Sequence, residues 1–165
     1  MIATAMTFFD VVLFFHILAV VLAFGPTFAY GVFFAVAGKE GGRAIPVIGK
    51  AIRTWDTAQT PMIIVILASG IYLAADRYDF GYFFVSWGFI AVIAILGLVH
   101  GFFRPQTKRV TELAERDIAA SPPDGPVEFS EEFNEVSGRI ARVGQLTGVL
   151  IVLTIYFMTA KPFSF

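Results

Sequence analysis

Four long stretches of the chain carry no Asp, Glu, Lys or Arg, and they set the frame for everything else. They are Val11–Gly38, Thr57–Ala75, Phe80–Phe103 and Val143–Ala160, of 28, 19, 24 and 18 residues. A helix needs roughly 20 apolar residues to cross the ~30 Å hydrocarbon core of a bilayer. Runs of this length are too long for strands, and buried helices of soluble proteins are usually shorter. The pattern predicts an all-α fold, an integral membrane four-helix bundle. Its spans fall at about residues 7–37, 57–75, 80–103 and 140–160, and residues 1–165 form a single membrane domain. The last span borrows part of its polar flank.

Glycine and proline punctuate the pattern. Gly25-Pro26 lies in mid-span and predicts a kink, because Pro26 has no N–H to donate. Gly38–Gly42 reads as a turn, residues 44–53 as a short interfacial helix, and Pro61 as tolerated near the start of the second span. A very short turn over residues 75–81 makes the second and third spans antiparallel neighbours. Arg104-Pro105 is expected to close the third span, with a charged helix over residues 106–120 beyond it. The Ser-Pro-Pro-Asp-Gly-Pro-Val stretch, residues 121–127, is a loop by composition. Ser130, followed by Glu131 and Glu132, caps a helix that runs unbroken into the fourth span.

Charge then orients the bundle. Only 15% of residues are charged, against about 25% in a soluble domain. Ten cations (Lys39, Arg43, Lys50, Arg53, Arg104, Lys108, Arg109, Arg116, Arg139 and Arg142) fall on one side of the four spans. Arg77 and Lys161 fall on the other. Lys/Arg-rich loops stay in the cytoplasm, so both termini are placed outside. The segment over residues 104–139 becomes a cytoplasmic helical extension between spans 3 and 4. The location implied is the cell membrane, multi-pass. The first ten residues hold no Lys or Arg, and the first run is too long for a signal peptide, so it reads as a true span. Cys is absent, which removes disulfides and thiolate ligands. The net charge of −1 and the lack of a basic patch give no support for nucleic acid as a partner.

Polar groups inside a bilayer are costly and often mark function. His16 leads the candidates. Ala19, Ala23, Thr27 and Tyr30 follow it at three- and four-residue steps, making a small, mildly polar face suited to the bundle interior. Asp56, Gln59, His100, Arg104, Arg142 and Gln145 read as structural polar residues near the cytoplasmic edge, with Asp56 paired to Arg142 or Arg104. Gly97/Gly101 and Gly144/Gly148 read as marks of close helix packing. His16 and His100 differ in depth by roughly 20 Å at 1.5 Å per residue, so the two cannot share one iron within one subunit. No Ser–His–Asp arrangement, metal-ligand cluster, P-loop or dinucleotide fingerprint appears, and an enzyme reading lacks support.

The segment Phe14–Thr27 (Phe-Phe-His-Ile-Leu-Ala-Val-Val-Leu-Ala-Phe-Gly-Pro-Thr), together with Arg104-Pro105, resembles a bacterial family of uncharacterised predicted four-helix integral membrane proteins. More distantly it is similar to the CopD copper-resistance proteins and the HemJ protoporphyrinogen oxidases. In the HemJ-like group the first-helix histidine is taken to ligate heme, so the resemblance implies that role for His16. Those proteins also use a lysine in a later helix, and no lysine lies within the four spans here.

The first functional expectation is a non-enzymatic membrane protein that binds a hydrophobic ligand or b-type heme in the bundle. His16 is then the axial ligand to the heme iron, with Tyr30 beside it. The alternatives are an accessory subunit of a larger membrane complex and a small transporter or channel. The expected partners are the lipid bilayer and either a homo-oligomer or a larger membrane complex.

Overall fold

A computed structural model describes residues 6–162. The chain ends assigned above to the outer side, residues 1–5 and 163–165, lie outside that range. Seven α-helices follow in order among the described residues: α1 (Phe8–Phe24), α2 (Thr27–Lys39), α3 (Ile45–Ala58), α4 (Thr60–Arg77), α5 (Phe83–Leu98), α6 (Arg104–Ala120) and α7 (Glu131–Ala160). A π-helical turn, Val99–Phe103, joins α5 to α6. These join end to end into four rods, Phe8–Lys39, Ile45–Arg77, Phe83–Ala120 and Glu131–Ala160, each long and apolar enough to cross a membrane.

The rods outrun their apolar stretches. Thirty-eight residues in the third rod reach about 57 Å at 1.5 Å per residue, nearly twice a hydrocarbon core. The bundle therefore has two tiers. In the apolar tier Ala19, Ala23 and Phe24 of α1 pack with Ile63 and Ile66 of α4, Val92 and Ile95 of α5, and Ile151 of α7. In the charged tier Ala37, Ile45, Val110, Leu113, Ala114, Phe133 and Val136 join α2, α3, α6 and the first turns of α7 around a second core. A third, smaller cluster of Ala74, Phe84 and Val85 closes the far end of the apolar tier. There Trp87 Nε1 donates to Thr154 Oγ1 at 3.1 Å and ties α5 to α7.

Each proline leaves its mark. Pro26 cannot donate, and the chain turns there through Phe28 N–H to Gly25 O (3.3 Å) and Ala29 N–H to Pro26 O (3.0 Å) before α2 begins. At Gly25-Pro26, where a kink was expected, the α-helical hydrogen bonding is interrupted while both residues keep right-handed helical angles. Pro61, one residue into α4, leaves the Thr57 carbonyl without its helical donor, and α3 gives way to α4 at Gln59. Pro105 overturns an expectation, for the third rod does not end there. The Arg104 N–H reaches back five residues to the Val99 carbonyl. That extra residue in the turn accommodates the proline, and the helix continues to Ala120.

Three contacts among others tie the charged tier. Gly49 of α3 lies against buried Thr111 of α6, so closely that a Cβ at 49 would sit 2.3 Å from Thr111 Oγ1. Arg43 donates to the carbonyls of Pro122 and Gly125 and so grips the loop before α7. Ser130 caps α7, accepting from Phe133 N–H at 3.3 Å, while its own N–H (2.9 Å) and hydroxyl (2.8 Å) donate to Asp117 of α6.

Within the chain, three of the four residues of the two glycine pairs pack against no other helix. A Cβ at Gly97, Gly101 or Gly144 would meet nothing within 4 Å, because these faces look away from the chain's other helices. Gly148 alone faces a neighbour, Phe28, at 3.7 Å.

Candidate functional site

His16 sits in the seam between α1 and α4. The small face predicted for α1 is real, for Ala19 and Ala23 are 3% and 0% exposed. It lets α4 approach closely enough for His16 Nδ1 to lie 2.8 Å from Ser69 Oγ. Ser69 has one hydroxyl proton, and its oxygen is close against the Val65 carbonyl, which can only accept. The serine therefore donates to Val65, and the Nδ1–H of His16 donates to the serine. That tautomer leaves the lone pair on Nε2. Gly70, the next residue of α4, lies beside the ring: a Cβ there would stand 3.5 Å from His16 Cε1, in ordinary van der Waals contact.

A second constellation lies past the Pro26 break. Tyr30 and Phe33 of α2 face Ile48, Ala51, Ile52 and Trp55 of α3 across a groove of about 280 Å³ floored by Pro26. Its walls are apolar and aromatic, yet polar atoms of two lining residues, and one of Gln59 at the α3–α4 junction, are buried. Tyr30 Oη, Trp55 Nε1 and Gln59 Oε1 each lack a hydrogen-bond partner within the protein. Gln59 and Asp56 are both 7% exposed. Asp56 lies one helical turn beyond Ile52, on the same side of α3. Its charge is felt by Tyr30 from α2 and by Arg104 and His100 from the third rod. Among the described residues Asp56 forms no hydrogen bond and no close ion pair. Arg104 instead donates to Thr57 Oγ1 at 2.8 Å, and His100 Nδ1 meets the Leu96 carbonyl of its own helix at 3.1 Å.

The predicted residues thus sort into two places. His16 and Tyr30 were read as one face. Fourteen residues separate them, about 21 Å along a helix, and beyond the break Tyr30 faces α3 whereas His16 faces α4. Tyr30, Arg104 and His100 lie within electrostatic reach of Asp56, and Gln59 follows Asp56 by three residues. Arg142 and Gln145 do not join them: both are exposed, and Arg142 donates only to the Gly138 carbonyl one turn back (3.3 Å). The expected Asp56–Arg142 pair is absent because α7 presents that face outward, and the Asp56–Arg104 pair remains a through-space attraction. Ser69 escaped the sequence reading, since a lone serine in an apolar run carries no local signal of its partner. Among the described residues no three His, Cys, Asp or Glu side chains gather as a metal site. Set against protein-family models, curated proteins and solved structures, the chain finds no significant match in any of the three.

Proposed function

We propose that this chain is a multi-pass membrane protein that binds a small amphipathic molecule in the groove between α2 and α3. The observation that carries this reading is an apolar, aromatic groove two of whose lining residues, Tyr30 and Trp55, hold buried polar atoms without a partner in the protein. A buried polar group without a partner costs about 1–3 kcal/mol, and such groups are rare unless something bonds to them. A ligand whose apolar body fills the groove, and towards whose polar head Tyr30 Oη and Trp55 Nε1 turn, would recover that cost. Membrane residence is supported by the outward faces of the rods. In the apolar window of α7 only 6% of residues are buried, and Leu146, Val149, Val152, Leu153, Ile155 and Tyr156 stand exposed. Lipid is the solvent such a surface needs. In this reading the charged tier lies in the cytoplasm, and the groove opens near the inner face of the bilayer.

Native mass spectrometry of protein extracted from its own membrane tests the proposal. The wild type is expected to carry a non-covalent adduct of fixed mass, lost in Ala51→Phe, which fills the groove, with helix content unchanged. Wild type without an adduct would contradict the reading.

A second reading rests on the tautomer of His16. An imidazole that donates through Nδ1 and keeps its Nε2 lone pair is the form that binds iron, so His16 is the residue that would hold a b-type heme. Gly70 lies beside the ring, and such a heme would have to lie along the lipid-facing side of the α1–α4 seam. On this reading a dithionite-reduced spectrum of heme-reconstituted protein shows sharp bands that disappear in His16→Ala. A featureless spectrum in the wild type removes it.

A further inference from the structure

The cations of the charged tier sort into two sets. Lys50, Lys108, Arg109, Arg116 and Arg139 each hold a carboxylate within 3.8 Å. Lys39, Arg53, Arg104 and Arg142 hold none among the described residues, and these are the cations nearest the four charge-free runs. Two of them come together. Arg53 and Thr57 lie one turn apart on the same side of α3. The Thr57 hydroxyl donates to the Arg53 carbonyl at 3.2 Å and accepts from Arg104 Nη2 at 2.8 Å, which brings Arg104 beside the turn that carries Arg53. The Arg53 side chain makes no hydrogen bond or ion pair among the described residues, and Arg104 keeps donors beyond the one spent on Thr57.

We infer that this edge, where α3 meets the start of α6, binds the phosphate of an anionic phospholipid of the inner leaflet. The inference rests on the membrane residence proposed above and not on the groove. Guanidinium N–H forks match phosphate oxygens in pairs. Asp56 is buried and attracts Arg104 through space, so two arginines and one carboxylate leave a single positive charge. A phosphodiester with an uncharged headgroup carries a single negative charge and complements it. A choline headgroup adds a cation that does not. Lipid fits better than free phosphate because the arginines stand where apolar surface begins. Ile64 of α4 and Ile93 of α5, on the same two rods, are exposed, and Gly97 and Gly101 leave the surface of the third rod open. Acyl chains therefore have apolar surface to lie along.

Full-length protein in neutral detergent micelles is titrated with phosphatidylglycerol and with phosphatidylcholine of the same acyl chains, and bound lipid is counted by native mass spectrometry. Neutral micelles remove the diffuse surface potential, so what remains is local. The expected result is one phosphatidylglycerol bound roughly tenfold tighter than phosphatidylcholine, and no competition from glycerol phosphate at the same concentration. Arg53→Gln should weaken phosphatidylglycerol about fivefold, the effect of one basic residue on an anionic headgroup, and Arg104→Gln should do the same. Arg142→Gln, with the same loss of charge, should leave the affinity unchanged, as should Ala51→Phe in the groove. Equal affinity for the two lipids overturns the inference. So does an equal loss in Arg53→Gln and Arg142→Gln, which would mean unspecific attraction to the whole basic end. Competition by glycerol phosphate would make the site one for a soluble phosphate instead, and loss of phosphatidylglycerol in Ala51→Phe would move the lipid into the groove; either result overturns the assignment. If Arg104→Gln fails to fold, because the bond to Thr57 is lost, Arg53→Gln decides alone, since that side chain ties nothing in the fold.

Discussion

Gly42→Ala destabilises the fold by about 2–5 kcal/mol, seen as a lower midpoint when the protein in mixed micelles is titrated with SDS. Two independent costs add. Gly42 has φ +81°, a conformation that costs an L-residue with a side chain roughly 1–2 kcal/mol. A Cβ at 42 would also stand 2.5 Å from Phe129 Cε2 and Cζ. Phe129 cannot simply step aside, because it stacks on buried Phe133 with ring centres 4.1 Å apart. Overpacking of this kind costs about 1–3 kcal/mol. The two parts separate experimentally. Adding Phe129→Ala to Gly42→Ala should remove the clash and leave the backbone strain. Gly38→Ala, in open space inside α2, should leave the midpoint unchanged or raise it slightly. If Gly42→Ala behaves like Gly38→Ala, the turn between α2 and α3 is not built as described.

The second large effect concerns the clasp between α6 and α7. Asp117→Ala is expected to cost about 2–3 kcal/mol, since it removes charge-assisted bonds and strands the Ser130 N–H. The Asp117 side chain is 7% exposed and lies in the charged tier, beyond the apolar stretch over residues 80–103. Burial pushes its carboxyl up, but the Ser130 N–H, the Ser130 hydroxyl and Arg116 together outweigh burial and hold it below the usual carboxylate value. A depressed folded-state pKa contributes stability above the unfolded value, about 3.9. That contribution is lost as pH falls through the lower folded value. The gap between wild type and Asp117→Asn should therefore be constant near neutrality and narrow as pH drops below about 4. A gap that widens on acidification would mean that the carboxyl is not held in its charged form.

Local rules made much of this fold legible. The four apolar runs, the break at Gly25-Pro26 and the cap at Ser130 with its unbroken α7 follow from hydropathy, a missing N–H and a side-chain acceptor. Each acts within a few residues of itself. Arg104-Pro105 was misread because a proline's usual effect is to end a helix. Only the three-dimensional course shows that a π-turn absorbs it. Asp56, Gln59 and Tyr30 were all visible as polar residues in apolar surroundings, but their grouping was not. That grouping depends on how α2 packs against α3, and hydropathy says nothing of that. Ser69 was invisible for a similar reason. Its meaning lies entirely in His16, fifty-three residues away.

The central claim is that the buried polar atoms at the α2–α3 junction are bonded to a ligand. A density map of the protein solved in lipid from its native membrane tests it most directly. The account predicts ordered non-protein density in the groove, with a polar atom within about 3.2 Å of Trp55 Nε1 or Tyr30 Oη. A closed groove in which Trp55 and Tyr30 bond to protein atoms alone would contradict it.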